Sequence, residues 1–191
     1  MASAMPVEPI LEGGRPFTVA DLERTPDDGR RYELIDGVLI VSAAPGRLHQ
    51  RVVGRLYRLL DDACPAELEV LMAPFGIVFG DDTELQPDVL VARRADLTDK
   101  NLPAPPVLAV EVLSPSTRII DSHVKRERFE REGTPAFWVV DPVARPDEAR
   151  LVAWELAEDG RYRQVADVLG EAEHKAGLPY PVTVRPADLV R

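Results

Sequence analysis

A continuous apolar run with a single acid in its centre constrains this chain more than any other stretch. Val107–Leu113 reads Val-Leu-Ala-Val-Glu-Val-Leu, which has the length and apolarity of a strand buried on both faces. The carboxylate of Glu111 is costly inside such a strand unless a cation or hydrogen-bond donors meet it. The run therefore predicts a central strand whose acid has a partner elsewhere in the fold.

A second acid begins the apolar run that precedes this one in the chain. Asp88 follows Pro87 in the predicted strand Leu85–Ala92, which we expect to lie beside the Glu111 strand. Lys125 lies on the helix predicted to follow. Two acids and a lysine are the side chains that metal-assisted phosphodiester hydrolysis requires, and hard carboxylate oxygens favour Mg²⁺ or Mn²⁺ over Zn²⁺.

Both Asp88 and Lys125 also have structural interpretations. Asp88 stands at a strand entrance, where a carboxylate commonly caps a turn or pairs with an arginine. Lys125 follows Asp121 by four residues, the spacing of a solvated ion pair on a helix. The residues alone leave these alternatives open.

The net charge of −10 argues against a protein that binds nucleic acid over a broad surface, because phosphate neutralisation dominates such binding. Contact with DNA then requires a local arginine patch, and we expect it to be weak and salt-sensitive. The helix predicted over Arg47–Ala63 carries such a row opposite its apolar stripe. The row consists of Arg47, Arg51, Arg55 and Arg58. A solvated helix face is the alternative.

Length and turn signals predict the rest of the architecture. A chain of 191 residues predicts one domain, taken as residues 17–191 after a tail over residues 1–16. Asp36-Gly37 and Asp159-Gly160 each separate two apolar runs, which predicts two β-hairpins. The pattern as a whole indicates an α/β fold with a mixed sheet flanked by helices.

Cys64 is the single cysteine, so no internal disulfide and no zinc motif are expected. No apolar run approaches the roughly 20 residues of a membrane span, and the first residues do not resemble a secretory signal. We therefore expect a cytoplasmic protein with no membrane contact and no small-molecule organic cofactor.

Four segments in this order resemble a known family. They are Tyr32–Gly37, Gln86–Asp88, Glu111–Thr117 and Trp138–Pro142. Together they are similar to the Uma-two branch of the PD-(D/E)XK restriction-endonuclease-like superfamily, over about residues 18–156. The resemblance implies a restriction-endonuclease-like mixed β-sheet core flanked by helices, with added N-terminal and C-terminal β-hairpins. It also implies an endonuclease that acts on DNA with Mg²⁺.

The resemblance assigns the metal ligands and a third acid. Asp88 and Glu111, with the carbonyl of Val112, would hold Mg²⁺ or Mn²⁺. Glu33 would be a further carboxylate that tunes the metal or positions a water. His49 matches a histidine often found in the first long helix of the branch, although a packed or capping histidine is the structural alternative.

The catalytic lysine departs from the superfamily pattern. That pattern places it two residues after the acid, where this chain has Leu113. The branch carries its lysine on the following helix, between an aspartate and an aromatic residue, and Asp121, Lys125 and Phe129 match that arrangement. Lys125 therefore takes the role of water or phosphorane partner.

Two further expectations follow. A homodimer is the simplest way to cut both strands of a duplex with one kind of site. The rival interpretation is a nuclease fold that has lost catalysis and serves as a binding or assembly module. It is supported by the acidic charge and by Leu113.

Overall fold

The computed structural model describes residues 15–114 and 123–191, which form strands in three sheets and short helices. The strands are β1 (Arg31–Ile35), β2 (Val38–Ser42), β3 (Leu68–Met72), β4 (Gly76–Val78), β5 (Glu84–Leu85), β6 (Val89–Arg93), β7 (Asn101–Leu102), β8 (Leu108–Val112), β9 (Ala136–Asp141), β10 (Arg150–Leu156), β11 (Tyr162–Leu169), β12 (His174–Ala176) and β13 (Val182–Val184). The helices are α1 (Val19–Leu22), α2 (Arg47–Asp61), α3 (Lys125–Arg131) and α4 (Pro186–Val190).

The largest sheet has the strand order β11-β10-β9-β8-β6-β3. Strands β8 and β9 are parallel, whereas β6 pairs with β8, and β10 with β9, in antiparallel register. A second sheet has the order β2-β1-β5-β4-β7, and β12 pairs with β13. The expected α/β architecture with a mixed sheet is confirmed, and both predicted Asp-Gly hairpins are present as β1–β2 and β10–β11.

Strand β8 is buried along its whole length and separates two apolar clusters. Val112 belongs to the cluster that contains Leu56 of α2. Ala109 belongs to the opposite cluster, with Phe129 of α3. Because side chains alternate along a strand, Glu111 projects to the same face as Ala109, beneath α3 and the second sheet.

The single strand predicted over Leu85–Ala92 is wrong, because the chain breaks there into β5 and β6, which lie in different sheets. Pro87 has no N–H to donate to a ladder. Asp88 precedes β6, and its carboxylate accepts the Val112 N–H at 2.8 Å. The chain therefore crosses between sheets at Gln86-Pro87-Asp88, and this crossing brings Asp88 to the centre of the fold.

The predicted helix over Arg47–Ala63 is confirmed as α2. The helix predicted over Thr117–Glu132 is described only from Lys125, as α3, and ends as expected before Gly133, whose φ is 78°. Asp121 and most of the predicted N-terminal tail lie outside the described residues. Within residues 15–114 and 123–191, no helix is long and apolar enough to cross a membrane.

His174 in β12 gives the fold a pH-dependent stability. Its side chain is buried with its ring edge-on to Trp138, at a centroid distance of 5.5 Å. Burial lowers the pKa of His174 below its usual value, and the charge of Glu155 opposes this shift without cancelling it. The unfolded chain therefore takes up a proton near pH 6.5, where folded His174 does not.

We expect the free energy of unfolding to fall as the pH drops below about 6.5, by at most about 1.4 kcal/mol per pH unit from this residue. The full contribution is present above pH 6.5, since both states are then neutral at this position. Urea unfolding of the wild type and of His174→Phe at pH 7.5 and 5.0 measures it. Equal pH dependence in the two proteins would contradict the assignment.

Candidate active site

The β1–β2 hairpin places Glu33 in the interior. The turn at Asp36-Gly37 requires left-handed backbone at both residues, with φ of 49° and 77°. Glu33 lies on β1, three residues before Asp36, and is 2% exposed. Its Oε1 accepts the Gln86 backbone N–H at 2.8 Å, which fixes the hairpin to the crossing between the two sheets.

Asp88 and Glu111 are cross-strand neighbours. The antiparallel register of β6 and β8 pairs Val89 with Val110 and Leu90 with Ala109. Continuing this register by one residue sets Asp88 opposite Glu111. Asp88 lies just outside β6, so the two residues are neighbours across the start of this strand pair, and they are only 2% and 1% exposed.

Asp88 accepts hydrogen bonds at both of its oxygens. Oδ1 accepts from Nη2 of Arg31 at 3.0 Å. Oδ2 accepts from the Val112 N–H at 2.8 Å and lies 3.0 Å from Nε2 of His49. Burial acts to raise the pKa of Asp88, but the hydrogen bond with His49 and the charge of Arg31 outweigh it and lower that pKa. Asp88 is therefore an ionised carboxylate held in the interior.

Lys125 bridges the other two acids. Its Nζ lies 2.9 Å from Oε1 of Glu33 and 3.2 Å from Oε1 of Glu111, and the side chain is 1% exposed. Charged side chains are almost never this buried unless they are paired. The alternative of a solvated helix lysine is therefore wrong. Lys125 joins a carboxylate of the hairpin to a carboxylate of the central strand.

Two arginines of α3 hold this helix against the hairpin. Nη2 of Arg131 donates to Oδ2 of Asp36 at 2.8 Å, and Nε of Arg128 lies 3.6 Å from Oδ1 of the same residue. The Asp36 turn is thereby tied to the helix that begins at Lys125.

Arg31 completes the cluster, and sequence reasoning missed it. Its Nη1 donates to the Gln86 carbonyl at 3.2 Å, and its Nη2 contacts Asp88. Burial acts to lower the pKa of Arg31, but the charges of Asp88, Glu33 and Glu111 outweigh it and raise that pKa. The sequence feature that could have identified Arg31 is its position two residues before Glu33, because residues two apart on a strand lie on the same face.

The oxygen donors of the site suit a hard divalent cation. Within residues 15–114 and 123–191, no three His, Cys, Asp or Glu side chains form a ready ligand group. Mg²⁺, however, needs only one or two carboxylates besides waters and phosphate oxygens. Asp88 and Glu111 are the two carboxylates that would hold such a cation. The Val112 carbonyl adds an oxygen on the Asp88 side, because the N–H and C=O of one strand residue point to the same edge.

The arginine row of α2 lies partly against the C-terminus of the chain. Nη1 of Arg51 donates to the carbonyls of Val190 and Arg191 at 3.1 and 3.2 Å. Nη1 of Arg55 donates to the Asp188 carbonyl at 2.6 Å. Arg47 is exposed. Contact of this row with DNA stays a prediction, and His49 lies at the acid cluster.

A groove of about 640 Å³ opens beside Arg31. Arg31 and Gln86 line it, together with Tyr32, Gln50 and Lys100. The side chain of Arg31 is 21% exposed, compared with 3% for Asp88. Arg31 therefore stands between the groove and the buried carboxylates.

Comparisons with known proteins identify the family and the fold. The model of the Uma2 family, described as "Putative restriction endonuclease", matches residues 19–183. A crystal structure from Anabaena variabilis, described as a putative nuclease belonging to DUF820, superimposes with a TM-score of 0.66. It is 18% identical and covers 92% of this chain and 98% of that chain, so the likeness shows the fold. No curated protein matches in sequence.

Proposed function

Because this chain belongs to the Uma2 family of restriction-endonuclease-like proteins, we propose that it is a metal-dependent endonuclease that hydrolyses phosphodiester bonds in DNA. One observation carries the proposal above all others. Glu33, Asp88, Glu111 and Lys125 come from separate parts of the chain and are each no more than 2% exposed. Lys125 is paired with Glu33 and Glu111, and Asp88 is paired with Arg31. Burying four charged groups is costly for stability, so their retention favours a chemical role.

The ligands of the cation in this proposal are Asp88, Glu111 and the Val112 carbonyl. Bound Mg²⁺ or Mn²⁺ would polarise the scissile phosphate and lower the pKa of an attacking water. The Val112 N–H and His49 hold the Asp88 carboxylate in its orientation through Oδ2. Such outer contacts commonly set how well a carboxylate ligand is aligned.

Lys125 is the partner of the attacking water or of the charge that develops on the phosphate. Its ammonium lies 3.2 Å from Oε1 of Glu111, so a water bound to that carboxylate would lie close to the ammonium. Glu33 holds Lys125 from the opposite side at 2.9 Å. Glu33 therefore acts as a positioning residue for the lysine and, through the Gln86 N–H, for the crossing that carries Asp88.

A nicking assay on supercoiled plasmid tests the proposal. We expect the wild type to nick with Mg²⁺ or Mn²⁺ and to be inactive with EDTA, since the acids need a divalent cation to act on phosphate. Glu111→Gln keeps the shape of the side chain and removes a ligand charge, so its nicking should fall to the level seen with EDTA. Nicking that persists in EDTA or in Glu111→Gln would contradict the mechanism.

The inactive binding or assembly module remains the second candidate, and one observation favours it. Both oxygens of Asp88 are already occupied by donors from the protein itself. A wild type that binds no cation and nicks no substrate, while remaining folded, would identify this second function.

The partners follow from the same proposal. DNA would be bound weakly, through the exposed Arg47 and the groove beside Arg31, because the net charge is −10. A two-fold dimer would present two copies of the site to the two strands of a duplex. Light scattering at micromolar concentration tests the dimer, and a monomer would restrict the activity to nicking.

A further inference from the structure

The hydrogen bonds of Asp88 leave little room for a metal ion. Its Oδ2 contacts two groups that belong to the scaffold, the Val112 N–H in the neighbouring strand and His49 in α2. Its Oδ1 contacts a single long side chain, that of Arg31, at 3.0 Å. Oδ1 is therefore the oxygen that can be vacated without moving the backbone.

Arg31 is placed to make that exchange. Its guanidinium contacts Asp88 and the Gln86 carbonyl, and it also lines the groove that leads outward. The side chain is 21% exposed, whereas Lys125 is 1% exposed. Of Arg31 and Lys125, Arg31 is therefore the side chain with access to solvent.

We propose that Arg31 occupies the metal-binding oxygen of Asp88 in the resting protein and moves to a substrate phosphate in the groove when the divalent cation binds. This inference rests on the proposed nuclease function and adds a residue to it. A guanidinium and a divalent cation on one carboxylate oxygen repel each other at short range, so the two groups compete for Oδ1. The planar fork of arginine suits phosphate as well as carboxylate, so the displaced group has a new partner.

The proposal has a physical consequence for affinity. Without DNA, the cation must displace Arg31 from Asp88, so Arg31 weakens cation binding. With DNA present, the guanidinium gains a phosphate contact, so Arg31 strengthens DNA binding. Substituting Arg31 should therefore shift the two affinities in opposite directions, whereas a residue that only stabilises the fold would weaken both.

Binding measurements on Arg31→Met test this directly. Calorimetry with Mn²⁺ alone should show affinity about tenfold tighter than in the wild type, which corresponds to about 1.4 kcal/mol. Fluorescence anisotropy of a short duplex in Ca²⁺ should show DNA affinity weakened severalfold. Arg31→Lys keeps the charge but has one donor group for the two acceptors Asp88 and Gln86, and it should fall between the wild type and Arg31→Met.

Arg30→Met is the matched control. Arg30 precedes Arg31 and lines the same groove, but its Nε donates to Asp28 at 2.7 Å. The Mn²⁺ affinity of Arg30→Met should equal that of the wild type. Unchanged or weaker Mn²⁺ binding in Arg31→Met would overturn the inference while leaving the nuclease intact. If Arg31→Met does not fold, Mn²⁺ binding no tighter in Arg31→Lys than in the wild type overturns it equally.

The two levels of the proposal fail in different ways. If the wild type nicks DNA but Arg31→Met binds Mn²⁺ no more tightly than the wild type, only the proposed exchange is wrong. If the wild type neither binds Mn²⁺ nor nicks DNA, both the nuclease function and the exchange are wrong.

Discussion

Replacing Lys125 by methionine is expected to abolish nicking and to lower the free energy of unfolding by about 3–5 kcal/mol. Methionine has a similar length but no charge, so Glu33 and Glu111 would face each other in the interior without the ammonium that now lies 2.9 and 3.2 Å from them. Removing one partner of a buried ion pair leaves an uncompensated charge. Urea unfolding and the plasmid assay measure the two effects.

A double variant separates the structural role of Lys125 from its chemical role. Adding Glu33→Gln to Lys125→Met removes one of the two carboxylates that have lost the ammonium, so part of the lost stability should return. Nicking should not return, because the ammonium is still absent. Recovery of both would show that Lys125 acts only through the fold.

Two further substitutions complete the series on lysine. Lys125→Arg should restore little activity, because the guanidinium is larger and planar and the site is 1% exposed. Lys175→Met is the matched control. The side chain of Lys175 is 77% exposed, and its one ion pair among the described residues, with Glu173, is long at 3.7 Å. This variant should keep full nicking and wild-type stability. A fully active Lys125→Met would remove the lysine from the mechanism.

Replacing Asp88 by asparagine is expected to reduce nicking at least about a hundredfold and to destabilise the fold by about 2–4 kcal/mol. Asparagine offers one acceptor oxygen and one NH₂ group. Asp88 accepts from Arg31 at one oxygen and from the Val112 N–H at the other. Whichever way the amide turns, its NH₂ faces a donor, so one buried contact becomes donor against donor.

The pH dependence of stability identifies the lost carboxylate. The pKa of Asp88 is lowered in the folded state, so its contribution is present above its usual pKa and is lost as the pH falls below about 4. In urea unfolding between pH 7 and pH 3, the free energy of unfolding should fall less with decreasing pH in Asp88→Asn than in the wild type. Asp159→Asn, in the exposed Asp-Gly turn of the β10–β11 hairpin, should behave as the wild type.

Local chemistry determined much of the secondary structure from the sequence. Asp36-Gly37 placed the first hairpin because few residue pairs accept left-handed backbone at both turn positions. The apolar stripe of α2 and the continuous run around Glu111 predicted a helix and a buried strand, both observed. Short pieces escaped prediction, such as β7 at Asn101–Leu102, because two residues carry no periodic signal.

The sequence also determined which acids need partners. An acid in the centre of a buried apolar run must be neutralised, because desolvation of a lone carboxylate is too costly. The neighbours of Glu111 alone therefore predicted a buried acid with a partner, and its contact with Lys125 confirms this. The identity of its partner could not, because the distance from Glu111 to Lys125 depends on how α3 packs on the sheet.

Only the tertiary structure decided which side chains meet. Asp88 contacts Arg31, which is 57 positions away along the chain, and His49, which is 39 positions away. The break at Pro87 moves Asp88 from one sheet to the other, and this crossing brings the hairpin, the central strand and α2 to one point. Sequence periodicity reports which face a side chain occupies, but the partner across that face is set by packing between distant elements.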